Sequence, residues 1–333
     1  MKYFLCVMAA CFLGGYTGAK EAIFNMVPGN TPVKIISFNK QTLLVSNKTV
    51  ELIRKDQPLT IIEEAAIISD AVIYGNDLWL GTDRGVKVYD LNSYKLKQTY
   101  FPSTRISGVA VDALKRVWVA ASLKGVYMKD SDSFVSKVNI PGIYSLVCTA
   151  DSNIWVGTNV GLYRIAGKDF KMTRYAEEGY SGYELPDNIV ERLYKDEHSN
   201  VWVVMPDNIS FKSNARYQGE IPSYAYVGDK HNTVRTIVPV AGSSYIFVTE
   251  KGIFFLPSSS IKEEHHAHGG EVFTAENAQA FALDLKQLNI PDKLSGYSVT
   301  YAEKVGEELY FITDGGGWRI REKDLLKRIS KKR

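Results

Sequence analysis

The residues best suited to chemistry lie in one short run, Glu263-Glu264-His265-His266-Ala267-His268, which holds three of the chain's five histidines. His265 and His268, three apart, would share a helical face and could ligate a divalent transition metal. Gly269-Gly270 follow at once, the run sits in a long insertion over 257–296, and no cysteine or second histidine group stands elsewhere to complete a ligand set. A solvated loop is the expectation, with no metal or other cofactor. The carboxylate pairs Glu63-Glu64, Glu177-Glu178 and Glu307-Glu308 read as turn and loop charges rather than acid–base dyads. Gly315-Gly316-Gly317 is too bare for a phosphate loop and reads as a tight turn between strands. No nucleophile elbow, phosphate-binding glycine loop or zinc-protease helix motif occurs. Catalytic residues are therefore not expected.

The elements that would position any such groups are strands. The 333 residues are 45% hydrophobic and 23% charged, and 20 are tyrosine, a composition for a globular, strand-rich chain. The formal net charge is +3, but the segment 323–333 carries six basic residues against Asp324, so the remainder is slightly negative. Such a body lacks the broad basic face that holds phosphate backbones, which argues against nucleic acid as a partner. The first 19 residues resemble an export signal: Lys2, an apolar stretch from Tyr3 to Gly15, then the small residues of Thr17-Gly18-Ala19. The apolar stretch is shorter than the roughly 20 residues that span a bilayer. Met8-Ala9-Ala10-Cys11 leaves a second reading open, a lipoprotein acylated at Cys11. With Cys6 and Cys11 removed, only Cys148 remains, in the apolar run Ser145-Leu146-Val147-Cys148, and it reads as an inert core thiol.

One unit repeats along the chain. Leu78-Trp79-Leu80-Gly81-Thr82 through Gly85-Val86-Lys87-Val88-Tyr89 returns as Ile154-Trp155-Val156-Gly157-Thr158 through Gly161-Leu162-Tyr163-Arg164-Ile165. Further copies centre on Trp118 and Trp202, weaker ones on Ile246 and Tyr310, and the most degraded on Leu43. Successive anchors are 36, 39, 37, 47, 44 and 64 residues apart. Units of about 40 to 50 residues built only from short strands are propeller blades. The expectation is an all-β, seven-bladed propeller of four-stranded antiparallel blades over 20–322. The segment Ala22–Val27 should close the ring on the last blade, and each Trp should fill the gap between neighbouring blades.

The unit resembles the two-component-regulator propeller repeat. Leu185-Pro186-Asp187-Asn188-Ile189-Val190, Asp196 and Asn200-Val201-Trp202 match the first part of its pattern. Trp79-Leu80-Gly81-Thr82 and Trp155-Val156-Gly157-Thr158 match the second. The resemblance covers about residues 33–321, and the first and last two units depart from it. It implies a sensor-like or secretion-associated surface propeller of the bacterial envelope. One propeller with no kinase motif implies a stand-alone protein, in the periplasm or at the outer-membrane surface.

Propellers present their outer-to-inner strand connections on one face. Here these are Tyr100 to Arg105, Arg174 to Asn188 and Tyr224 to Arg235. The binding residues expected are Arg105, Tyr180, Tyr183, Asn188 and Arg235, since tyrosines and arginines suit an acidic glycan or protein surface. The competing reading has Tyr183 and Tyr224 packing over blade ends and the arginines paired with carboxylates such as Glu191. The function expected is non-enzymatic binding of an envelope glycan or protein; the alternative is a hydrolase or lyase with a metal in the central channel. The segment Asp324–Ile329 is either a short basic amphipathic helix able to touch anionic lipid or, the favoured reading, a solvated tail. Peripheral membrane contact would come through that tail or a lipid at Cys11.

Overall fold

In the repeat's central strand, every residue of Ile154–Thr158 is buried, as are Leu78 to Thr82 in Asp77–Thr82. A strand apolar on both sides must sit inside a sheet whose two faces are both covered. In the computed structural model, which describes residues 22–54, 58–178, 184–214, 221–261, 274–275 and 278–331, it is the second strand of each blade. Blade two is typical: Ile68–Tyr74, Asp77–Thr82, Gly85–Asp90 and Leu96–Tyr100 pair antiparallel in that order. Seven such sheets follow one another, with inner strands Pro32–Phe38, Ile68–Tyr74, Ile106–Val111, Ile143–Cys148, Arg192–Lys195, Val234–Val240 and Val299–Val305. The chain is a seven-bladed β-propeller of four-stranded antiparallel blades, as the anchor spacing predicts.

Side-chain bonds explain the repeat's invariants. Thr82 Oγ1 donates to the Gly85 carbonyl at 2.8 Å and accepts from Arg84 N at 3.1 Å, pinning the turn into the third strand. Thr158, Thr249 and Thr313 each donate to the glycine carbonyl three residues on. Gly85 adopts φ +115°, and a Cβ there would stand 2.5 Å from the Tyr100 carbonyl oxygen, so glycine is required. The Asp turn is equally specific: Asp112 accepts from Arg116 N, Arg116 Nε and Trp118 Nε1. The triple glycine forms the matching turn of blade seven, with Gly316 at φ +125° beside the Phe24 carbonyl.

The described apolar core divides into seven clusters, one at each blade interface. Trp79, Trp118, Trp155 and Trp202 each pack against the following blade, at most 4% exposed. The interface between blades seven and one is the smallest: Phe24, Ile35, Leu44, Tyr310 and Ile312. Here Ala22–Phe24 adds the outer strand of blade seven, Ile23 opposite Trp318 and Phe24 opposite Gly317. The ring closes as expected from the N-terminal segment.

Two local expectations change, at the blade-five inner strand and at the C-terminal segment, and part of the insertion finds its place. The inner strand of blade five starts at Arg192, because Val190 N instead bonds the Thr158 carbonyl of blade four. Within the described part of the insertion, Thr274–Ala275 pairs parallel with Ser223–Tyr224 of blade five, Phe281–Ala282 is the fourth strand of blade six, and Leu288 and Leu294 are buried in the interface of blades six and seven. The segment favoured as a solvated tail is a helix, Glu322–Ser330, with Leu325 and Ile329 buried in the interface of blades six and seven. Its first-turn acids Glu322 and Asp324 and last-turn bases Lys327 and Arg328 suit the helix dipole. Lys323, Lys327 and Lys331 remain exposed on one side.

Candidate functional site

The first strand of each blade is paired on one edge only, so seven free edges line the central channel. Six of these strands, all but that of blade five, show a bulge-like register shift after their first residue. At that level stand Val33, Ser69, Ser107, Tyr144, Arg235 and Thr300, around the mouth on the face of the outer-to-inner connections. The Ser69 and Ser107 hydroxyls donate to the carbonyls of Ile106 and Ile143, each in the next blade, at 2.6 Å. Tyr144 is 50% exposed.

The next level inward is Lys34, Asp70, Gly108, Ser145, Arg192, Thr236 and Tyr301, all opposite the residue two beyond the Trp anchor. Opposite the anchors themselves stand Ile36, Val72, Ala110, Val147, Tyr194, Val238 and Glu303. Residues of these levels and of the turns at Asp196–His198, Ser243 and Gly306 enclose a cavity of about 580 Å³. A volume of this size suits a small-molecule ligand.

The polar lining is wired from blade to blade. Asp70 accepts from Lys34 Nζ at 2.9 Å and from Val109 N at 2.9 Å, and Glu303 accepts from Ile35 N at 2.5 Å and from the Tyr301 hydroxyl. Thr236 Oγ1 accepts from Ala302 N at 3.2 Å. Arg192 donates to the carbonyls of Val234 and Arg235 at 2.8 and 2.9 Å, and Tyr194 OH to that of Arg235 at 2.7 Å. Lys195 donates to the Cys148 carbonyl of blade four. These bonds satisfy inner-edge amides and carbonyls that no strand covers.

Protein surrounds the channel groups, yet their side chains keep contact with its water: Lys34 is 32% exposed and Asp70 18%. Burial pushes the Glu303 carboxyl above its ordinary range, against the opposing pull of Lys34, the Tyr301 hydroxyl and the Ile35 amide. Burial alone would lower Lys34, but Asp70 and Glu303 outweigh it and raise the ammonium. Lys195 is held low, first by burial and further by Lys34. Burial pushes the Cys148 thiol up to about 12, which fits an inert core cysteine.

Of the binding residues expected, Arg105 is exposed just before the inner strand of blade three, and Arg235 is half-buried at the bulge of blade six. Neither has an ion-pair partner among the described residues; Glu191 lies instead 4.0 Å from Arg192. Asn188 folds back on its own connection, accepting from Glu177 N at 3.1 Å and donating to the Glu177 carboxylate at 3.3 Å. Tyr180 and Tyr183 lie outside the described residues, as does the run from Glu263 to His268. Tyr224 packs in the core of blade five, 2% exposed. Glu64 accepts from Tyr89 OH, and Glu308 pairs with Arg319 at 2.6 Å, so these carboxylates serve local structure. Among the described residues, no three His, Cys, Asp or Glu side chains gather as a metal would require.

The channel residues Lys34, Asp70, Arg192, Tyr194, Tyr301 and Glu303 escape a reading of single strands. Aligning the seven inner strands on the Trp anchors would have revealed them, since charged or phenolic groups recur at equivalent positions.

Fold and channel define a seven-bladed propeller with a polar, accessible axis. No family model matches the chain, and no curated protein matches it. Among solved structures it is similar to the extracellular domain of a hybrid two-component system from B. thetaiotaomicron, at 18% identity and TM-score 0.64 over 90% of this chain and 39% of that one. A second such domain from B. thetaiotaomicron matches at 13% identity and TM-score 0.58, over 89% of this chain and 41% of that one. The chain thus spans about two fifths of the length of these extracellular domains. Virginiamycin B lyase from Staphylococcus aureus, in a catalytically inactive histidine-to-alanine form with quinupristin, matches at 12% identity and TM-score 0.64, over 90% of this chain and 98% of that one. At these identities the likeness is one of fold.

Proposed function

We propose that this chain is an exported, non-enzymatic propeller of the bacterial envelope that binds a glycan or protein partner on the face of its outer-to-inner connections. The observation that carries the reading is the pair Arg105 and Arg235, which stand at the starts of inner strands on that face without a carboxylate among the described residues. An arginine fork left open pairs with a carboxylate of a partner and stacks on flat groups. Ile67, Leu123, Val160 and Ile189 are exposed in turns and connections of the same face, Leu123 at 79%, and offer apolar area around the arginines. Tyr180, Tyr183 and Asn188 complete the proposed contact.

Export rests on the signal-like residues 1–19, or on acylation at Cys11, and is supported by the repeat's resemblance to two-component-regulator propellers and by the extracellular neighbours. The hydrolase or lyase alternative draws support from the lyase's fold alone. Glycan-array binding and capture of envelope proteins, by the wild type and by a variant with the five face residues replaced by Ala, test the proposal.

A further inference from the structure

The helix Glu322–Ser330 buries one face and presents the other. An α-helix turns by about 100° per residue, so Lys323, Lys327 and Lys331 fall on one face and Leu325 and Ile329 on the opposite one. The two apolar residues are buried in the interface of blades six and seven, and the three lysines are exposed. Bonds at both ends hold the helix in that orientation. Glu322 accepts from Ala241 N at 2.7 Å and from Lys304 Nζ at 2.8 Å. Arg328 donates to the Lys286 carbonyl at 3.0 Å and to Asn289 Oδ1 at 2.7 Å, at the end of the short helix Leu285–Leu288.

The exposed face carries positive charge that its own acids do not balance. Lys323, Lys327, Arg328 and Lys331 stand against Glu322 and Asp324. Both acids are engaged by cations that precede the helix, Glu322 by Lys304 and Asp324 by Arg321, each at 2.8 Å. Among the described residues the three lysines have no ion-pair partner. Like charges four apart weaken a helix, so this row does not serve the helix itself. Charge is segregated over the whole molecule as well: 323–333 carry six basic residues against Asp324 in a chain of net charge +3, so the remainder is slightly negative. Such a distribution turns this rim toward a negative surface.

We propose that the lysine face of this helix docks the propeller on the headgroups of an anionic phospholipid bilayer. The contact is electrostatic and superficial, because the apolar face that would insert is spent on the propeller core. Four residues of helix rise about 6 Å, so the row runs over about 12 Å. A sheet of lipid phosphates meets the whole row at once, which a single free phosphate cannot do. The docking rim is separate from the loop face, and either proposal can fail alone.

The test is vesicle co-sedimentation of the full chain. It reads the ratio of affinity for phosphatidylcholine vesicles with about one third phosphatidylglycerol to affinity for pure phosphatidylcholine. A lysine beside an anionic surface contributes about fivefold, so the ratio should be about a hundred at low salt. It should fall toward one at about 0.5 M salt, where the charges are screened. Lys323→Gln/Lys327→Gln/Lys331→Gln should bring it near one with an unchanged melt, since glutamine is a good helix former. Lys323→Arg/Lys327→Arg/Lys331→Arg should keep it. Lys48→Gln/Lys95→Gln/Lys168→Gln, which removes the same charge from exposed positions elsewhere, should also keep it. A wild-type ratio near one would overturn the proposal and leave the row to an acidic protein. A ratio unmoved by the helix glutamines, lost with the arginines, or lowered equally by the distant glutamines would overturn it too. So would release of the protein by glycerol phosphate at matched ionic strength, which would make the row a site for a free phosphate.

Discussion

Lys34 Nζ stands 2.9 Å from Asp70 Oδ1, and the second oxygen of the same carboxylate accepts from Val109 N at 2.9 Å. One aspartate thus ties the inner strands of blades one, two and three. Asp70→Ala removes the Lys34 counterion and leaves the Val109 amide without its acceptor. Channel water screens part of the loss, so the expected cost is about 1–2 kcal/mol. Urea unfolding should show a lower midpoint at unchanged slope; an unchanged midpoint would show that these bonds are replaced by water without cost.

Closure depends on a strand of three residues. Phe24 is 2% exposed, packs on Gly317 and lies with its ring centroid 6.1 Å from that of Tyr310, in the smallest of the seven interfaces. Phe24→Ala should cost about 3–5 kcal/mol through the cavity left behind and the loosened seam. Thermal melting measures it, and a shift no larger than that of an exposed residue such as Leu114→Ala would contradict the closure described.

Glu303 makes stability depend on pH in a stated direction. Its folded value is raised above the ordinary 4.5, so the folded state holds the proton more tightly than the unfolded chain. The stabilisation this gives is fully present below about pH 4.5 and is lost as pH rises through the raised value. Glu303→Gln abolishes the titration while keeping an acceptor for the Ile35 amide. Melting temperatures of both proteins between about pH 4 and pH 8 should show the variant gaining on the wild type as pH rises. A difference independent of pH would contradict the assignment.

Much of the fold was legible because each blade carries its own reasons: a Trp that must be buried, a Thr–Gly turn that needs positive φ, an Asp that caps a turn. Ala22–Phe24 was readable as the closing strand because an apolar segment before blade one has one natural place in a ring. The channel was not legible strand by strand. Lys34 and Asp70 look like ordinary polar positions of alternating strands, and the Glu303 carboxylate meets Ile35, 268 residues away, only when the ring closes. The helix Glu322–Ser330 was masked by its basic residues, since Leu325 and Ile329 find their partners on two different blades. Asn188 has the type of a binding residue, but its amide is occupied by Glu177, a local bond that composition does not reveal.

The proposed activity of this protein is binding on its outer-to-inner face. The most direct measurement compares the wild type with the variant in which Arg105, Tyr180, Tyr183, Asn188 and Arg235 are all Ala, on a glycan array and in capture from envelope extract. A second variant, Lys115→Ala/His198→Ala, alters exposed residues of the turns on the opposite face. Loop-face truncations cost little stability, so both variants should melt near the wild type. Binding should be lost in the first variant and kept in the second. Binding kept in the first and lost in the second would contradict it.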